Sequence, residues 1–186
     1  ISPDSLRGTK IAIPGRLTTA FLLLQLYDPR LDAKIIVMPF DRIMDAVKEG
    51  RVDAGLIIHE SRFTYQGYGL HKVMDLGKWW ETETGLPIPL GCIIAKKSLG
   101  IDLIRSIDTL VRESVQYALT HGEETKDYIR AHSQELEDDV IEQHINLYVN
   151  TYSLDMGSDG LLAVEELLKR AEERGIIPGS RNAVIR

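Results

Sequence analysis

The residues best suited to chemistry follow two short apolar runs. His59, with Glu60 after it, closes the run 52–58 (VDAGLII). An imidazole titrates near neutrality, so a histidine held at such a point can take a proton from carbon at physiological pH. Position alone serves another reading as well, that of a boundary histidine whose ring meets a backbone carbonyl. Just beyond stand Arg62, Thr64, Tyr65 and Gln66. Singly each can be structural. As a group they can line a cleft, with Tyr65 the residue to stack on or orient a ligand.

Thr18 and Thr19 come after the turn Pro14-Gly15-Arg16 and before the apolar stretch 20–27. Hydroxyls at a helix start cap it, a contribution of about 0.5–2 kcal/mol. With the free N–H groups of the first turn, the same hydroxyls can hold a carboxylate. The two roles are compatible. Arg16 either adds positive charge there or points to solvent. The turn is not a P-loop, since the long glycine run and the Lys-Ser/Thr pair are missing. His144 is the rival to His59, and Tyr148 and Asn150 near it are weaker cleft residues. His71, His121 and His132 lack convergent partners, so a surface placement is expected. No histidines fall at H-x-x-x-H spacing, and the expectation is neither a metal nor a cofactor.

These side chains need a scaffold. Residues 10–13 read as a strand, 20–27 as a helix stopped by Pro29, and 33–38 as a second strand rich in Ile and Val. Asp41 is placed to cap the next helix, whose Ile43, Met44 and Val47 share a face beside Ala46, and Gly50 to end it. The nearly continuous apolar run 52–58 suits a buried, central parallel strand. Strand, helix, strand, helix, strand is a doubly wound α/β unit, and ligands on it sit beyond the C-terminal strand ends. Two such ends can be named: the turn 14–19 and the segment from His59.

Residues 76–84 read as a short helix or lid. They carry Trp79 and Trp80, which cannot face the same way on a helix, so one belongs to the core. Pro87 and Pro89 force extended backbone in 85–90, and 91–95 is strand-like, with Cys92 a small buried hydrophobe. Helices follow over 102–119, 123–133, 138–149 and 159–174, the last closed by Gly175, Pro178 and Gly179. So helix-rich a tail is expected to pack on a sheet whose other strands precede Ile1.

Composition excludes several classes. The chain has 186 residues, enough for one core or two small lobes sharing a cleft. With 44% hydrophobic and 27% charged residues, disorder is excluded. The net charge of -6 and scattered Lys and Arg argue against nucleic acid. No apolar run approaches the ~18–20 residues of a membrane span. The single Cys92 excludes an intrachain disulfide.

Four blocks carry a resemblance: 8–20 (GTKIAIPGRLTTA), 52–66 (VDAGLIIHESRFTYQ), 75–91 (DLGKWWETETGLPIPLG) and 144–154 (HINLYVNTYSL). In this order they resemble the 1,4-dihydroxy-6-naphthoate synthases of the futalosine route to menaquinone. The chorismate dehydratases of that pathway are similar, but the DLG-x-WW, PIPLG and HE-x-RFTYQ runs favour the synthases. The resemblance implies a type II periplasmic-binding-protein-like bilobal α/β fold, used in the cytoplasm as a cofactor-independent lyase, with one lobe incomplete in this chain. Residues 5–88 would be the second α/β lobe, with the anion-binding turn and the base. Residues 89–186 would be the return crossing, around 87–91, and the helix-rich part of the first lobe.

The resemblance also implies roles. His59 falls on the family's catalytic base. The carboxylate of the substrate, cyclic dehypoxanthinylfutalosine, would lie against Thr18, Thr19 and Arg16, with Arg62, Tyr65 and Gln66 lining the cleft. The expected partners are that small carboxylate and an N-terminal segment of the same protein, which in the family carries further strands and an SPCPND-type loop. A homodimer is compatible with this reading; nucleic acid and membrane are not expected. Two alternatives stand beside it, a binding protein for a small organic acid and a chorismate dehydratase. A pure binder has no need of a group titrating near neutrality, so His59 separates the first alternative from the enzymes.

Overall fold

Successive residues of a strand point to opposite faces of its sheet. A strand buried on both faces must therefore find an apolar layer on each side. In the computed structural model, which describes residues 7–29, 31, 33–133 and 137–179, Lys10–Ile13 meets this demand. It forms strand β1. Lys34–Val37 is β2 and Ala54–Gly55 is β3, and the sheet runs β2-β1-β3 with both pairings parallel. Ile11 aligns with Ile35 and Ala54, Ala12 with Ile36 and Gly55. Asp53 fixes the start of the β1–β3 pair twice: its N–H donates to Lys10 O at 2.9 Å and its carboxylate accepts the Lys10 N–H at 2.8 Å.

Ile11 and Ile13 face helix α1 (Thr19–Tyr27), where they pack with Phe21 and Leu24. Ala12 faces the other way, toward α2 (Ile43–Lys48), with Ile43, Ala46 and Val52. The far side of α1 is covered too. Leu23 and Leu26 pack with Trp80 of α4 (Leu76–Thr84) and Leu167 of α9 (Gly157–Glu173). A helix sandwiched in this way is apolar around most of its circumference, as TAFLLLQLY is. Trp80 is fully buried, its indole N–H donating to Pro87 O at 3.1 Å and the Arg170 guanidinium lying 5.5 Å over its ring. Trp79 diverges from it and meets Tyr27 edge-on at 5.3 Å. Trp80 is thus the core member of the pair, and both tryptophans are engaged with α1.

Several local expectations are corrected. Asp41 does not cap α2. The helix is entered through a 3-10 turn, Phe40–Arg42, and Asp41 pairs with Arg42 at 3.4 Å. The run 52–58 is strand only at Ala54–Gly55, with ladder bonds reaching Leu56 through Ala12 O at 2.8 Å. Among the described residues β3 is an edge strand and β1 the central one. An apolar run reports burial, not rank within a sheet. Gly50, at φ 70°, does follow α2 as expected.

The described residues fall into two compact units, one up to Leu90 together with those from Ser158 on, the other Gly91–Gly157. Helix α9 accordingly sits with the N-terminal sheet, while α5 (Ile101–Thr120), α6 (Gly122–His132), α7 (Asp138–Tyr148) and α8 (Thr151–Leu154) form the second unit. The strand expected at 91–95 is not formed among the described residues. Its Ile93 and Ile94 are 78% and 86% exposed, and Cys92 is exposed rather than buried. Apolar residues supply the capacity for a strand, but pairing needs a neighbour. Taken together the chain is mixed α/β, mostly helical, with a small parallel sheet. No described helix is long and apolar enough to cross a membrane.

Gly55 is where α2 and the sheet come closest. A Cβ there would overlap Ile43 Cγ2 and meet Val47 Cγ2 at 3.1 Å, and Ile43 is fully buried. Gly55→Ala should lower unfolding stability by about 1–3 kcal/mol through overpacking. Urea unfolding of Gly55→Ala beside Gly67→Ala, whose added Cβ meets nothing within 4 Å, checks this. Equal losses in the two would remove the steric account.

Candidate active site

Parallel strands deliver their C-terminal ends to one edge of the sheet, and three connections leave from it here. After β1 comes the turn to α1. Thr18, extended at φ -97° and ψ 146°, caps the helix: its hydroxyl accepts the Phe21 N–H at 3.2 Å and donates to Gly15 O at 2.8 Å. The Thr19 hydroxyl donates to Leu90 O at 3.1 Å, tying the helix start to the chain leaving this unit. The N–H groups of Thr19 and Ala20 lie in the first turn, where a helix offers no acceptor of its own. That turn contains no acidic residue, so no first-turn carboxylate offsets the positive end of the α1 dipole. Arg16 is exposed beside it.

After β3 the backbone turns sharply at His59, whose φ of 55° makes it the one non-glycine residue in the left-handed region among the described residues. Side chains other than Gly, Asn, Asp and His rarely adopt this conformation, and such outliers gather where function holds them. His59 is exposed, and its ring meets Phe40 edge-to-face, centroids 5.1 Å apart and planes at 64°. Phe40 stands on the third connection, the one leaving β2. The sequence reading names only two of the three strand ends at this edge and passes over Phe40. The signal that could have found it is its place two residues after Met38, at the end of the second strand.

The polar group beyond His59 divides. Residues Ser61–Thr64 form a short helix, α3, entered through the Arg62 N–H, which donates to His59 O at 3.4 Å. The Arg62 guanidinium lies 3.5 Å from the Asp75 carboxylate, which also caps α4 by accepting the Lys78 N–H at 3.1 Å. Arg62 therefore has a structural partner in this unit. The Thr64 hydroxyl bonds back to Glu60 O at 3.5 Å. Tyr65 is half-buried and Gln66 exposed, both in the 3-10 turn Tyr65–Tyr68.

His144 belongs to the second compact unit. It is half-buried on α7 and meets Tyr148 edge-on at 4.5 Å. Asn150 makes a capping box with Ser153 at the start of α8. His121 and His132 stack on Tyr117 and Tyr128 of their own unit, at 4.0 and 4.2 Å. A hollow lined by Arg112, Glu113, Gln116, Tyr117 and Thr120 lies along α5 and holds none of the residues singled out in the sequence. Tyr117 donates to Glu124 there at 2.6 Å, and this bond raises the phenol's pKa. Among the described residues, no three His, Cys, Asp or Glu side chains converge as a metal site requires.

A family model described as menaquinone biosynthesis matches residues 2–173. This chain belongs to the menaquinone biosynthesis family. Two curated relatives agree with the match. A 1,4-dihydroxy-6-naphthoate synthase of Thermus thermophilus is 54% identical over 173 residues, and one of Streptomyces coelicolor is 49% identical over 177. Each alignment covers 93% of this chain and 63% of the relative's length. A crystal structure of an Archaeoglobus fulgidus protein superposes with a TM-score of 0.87 at 39% identity, over 93% of this chain and 65% of that one. The chain thus spans a little under two thirds of the length of each of these matched proteins.

Because His59 is left-handed, substitutions there should sort by backbone tolerance. His59→Asn should leave stability within about 0.5 kcal/mol, since Asn enters this region readily. A β-branched residue should not: His59→Val is expected to cost about 2 kcal/mol. Thermal unfolding of the two variants side by side checks the order, and equal melting points would contradict the strained conformation.

Proposed function

We propose that this chain carries the base-bearing part of a 1,4-dihydroxy-6-naphthoate synthase, and that His59 removes a carbon-bound proton from cyclic dehypoxanthinylfutalosine. The proton taken lies next to the leaving position. Its loss leads to fragmentation into 1,4-dihydroxy-6-naphthoate and a released sugar portion. The observation that carries this reading is the left-handed His59 at the C-terminal edge of a parallel sheet. The match to two curated relatives of that name supports it.

In this reading the substrate carboxylate lies against the α1 N-terminus, where first-turn N–H groups and the helix dipole favour an anion, with Arg16 adding charge. Thr18 shapes that turn as its cap, and Thr19 fixes it to Leu90. Tyr65 and Gln66 line the cleft, while Arg62 orients the segment through Asp75. The step draws on the chain's own groups, with position and exclusion of water lowering the barrier.

The reading carries the bilobal, periplasmic-binding-protein-like architecture and the cytoplasmic setting with it. It also assigns a partner to the second unit, a further segment of the same protein. Ile93, Ile94, Leu110 and Tyr128 are all more than 60% exposed, and the matched relatives are longer than this chain. That segment would cover these side chains.

His59→Asn and His144→Asn in the full-length protein test the assignment. His59→Asn should fold normally, keep substrate binding and lose about 10²–10⁴ in turnover, the usual worth of a positioned acid–base group. Cleavage assays on both variants decide it. Near-full turnover in His59→Asn with loss in His144→Asn would transfer the role to His144.

A further inference from the structure

We propose that Phe40 is a positioning residue for His59, its ring setting the orientation from which the imidazole works. The inference rests on the reading of His59 as the base. His59 lies beyond the strand, left-handed and exposed, and its backbone alone does not fix the ring. Phe40 supplies a wall. At 5.1 Å and 64° the pair lies within the range of favourable edge-to-face contacts, about 4.5–7 Å between centroids. Phenylalanine is suited to this because it has no donor or acceptor. It can restrict imidazole rotation without a hydrogen bond to either ring nitrogen.

The wall is held firmly. The Met38 N–H donates to Ile13 O at 3.1 Å, which keeps the exit of β2 in the ladder with β1. The Phe40 carbonyl accepts the Ile43 N–H as the 3-10 turn runs into α2. Ile43 is also the residue pressed against Gly55, on the short strand β3 whose exit leads to His59. The 3-10 turn that carries the ring therefore runs directly into the α2 residue that packs against β3. Phe40 itself is only half-buried, so a smaller side chain there leaves the core intact.

The test is a double-mutant cycle in the full-length protein, assayed with cyclic dehypoxanthinylfutalosine. Phe40→Leu should lower kcat about 3–10-fold with KM within about twofold and a small change in Tm, the scale of one lost edge-to-face contact. Phe40→Tyr, which keeps the ring, should restore kcat. In the His59→Asn background, Phe40→Leu should add no further loss, because the group it positions is gone. If leucine unfolds the chain, as circular dichroism would show, Phe40→Met takes its place in the cycle. Losses that add in the double variant, or a kcat unchanged by Phe40→Leu while His59→Asn is impaired, overturn the inference alone. Full turnover in His59→Asn overturns the assignment of the base and this inference with it.

Discussion

Strand β1 is hydrogen-bonded on both sides and buried on both faces, and the first unit is organised around that fact. Its carbonyls bond the exits of both neighbours, Ala12 O to Leu56 and Ile13 O to Met38. Its side chains alternate between the α1 layer and the α2 layer. Since all three strands run parallel, their connections emerge at one edge, and α1, Phe40 and His59 begin there as a geometric consequence. The candidate site was not assembled independently of the core. It is the rim of the core.

How much of this is legible in the sequence varies with the kind of signal. The two strands rich in Ile and Val, the TAFLLLQLY helix and the long C-terminal helices were readable because period and composition are local. Observed and expected bounds there agree to within a residue or two. The third strand, the Asp41 cap and the strand at 91–95 were not, because each depends on something distant. The length of β3 depends on how far β1 can pair with it, and 91–95 lacks a strand neighbour among the described residues. The cap fails because a 3-10 turn, set by the exit of β2, comes before the helix.

The candidate site shows the same division. His59 was legible as a residue type after an apolar run, but its left-handed backbone was not, since nothing local in HE-S-R requires it. Thr18 and Thr19 were legible as cap residues. That Thr19 would reach across to Leu90 was not, for the two lie far apart in sequence. Phe40 was not legible, because a lone phenylalanine after a strand carries no polar or titratable signal. Only the meeting of the second and third connections gives it another meaning.

Helix α9 closes over α1 from the opposite end of the chain, and this has a consequence for synthesis. Leu23 and Leu26 are covered by Trp80 soon after they are made, but Leu167 arrives about 140 residues later, a delay of roughly 7–28 seconds at ~5–20 residues per second. During that interval the nascent sheet and α1 can form with part of their apolar surface still open to water. The whole of 91–157 is translated meanwhile, so completion of the first unit waits for a tail that carries none of the residues at the rim. A stalled or shortened chain that ends before α9 would therefore be released with the rim made and the layer behind it unfinished, a species prone to adhere to other chains.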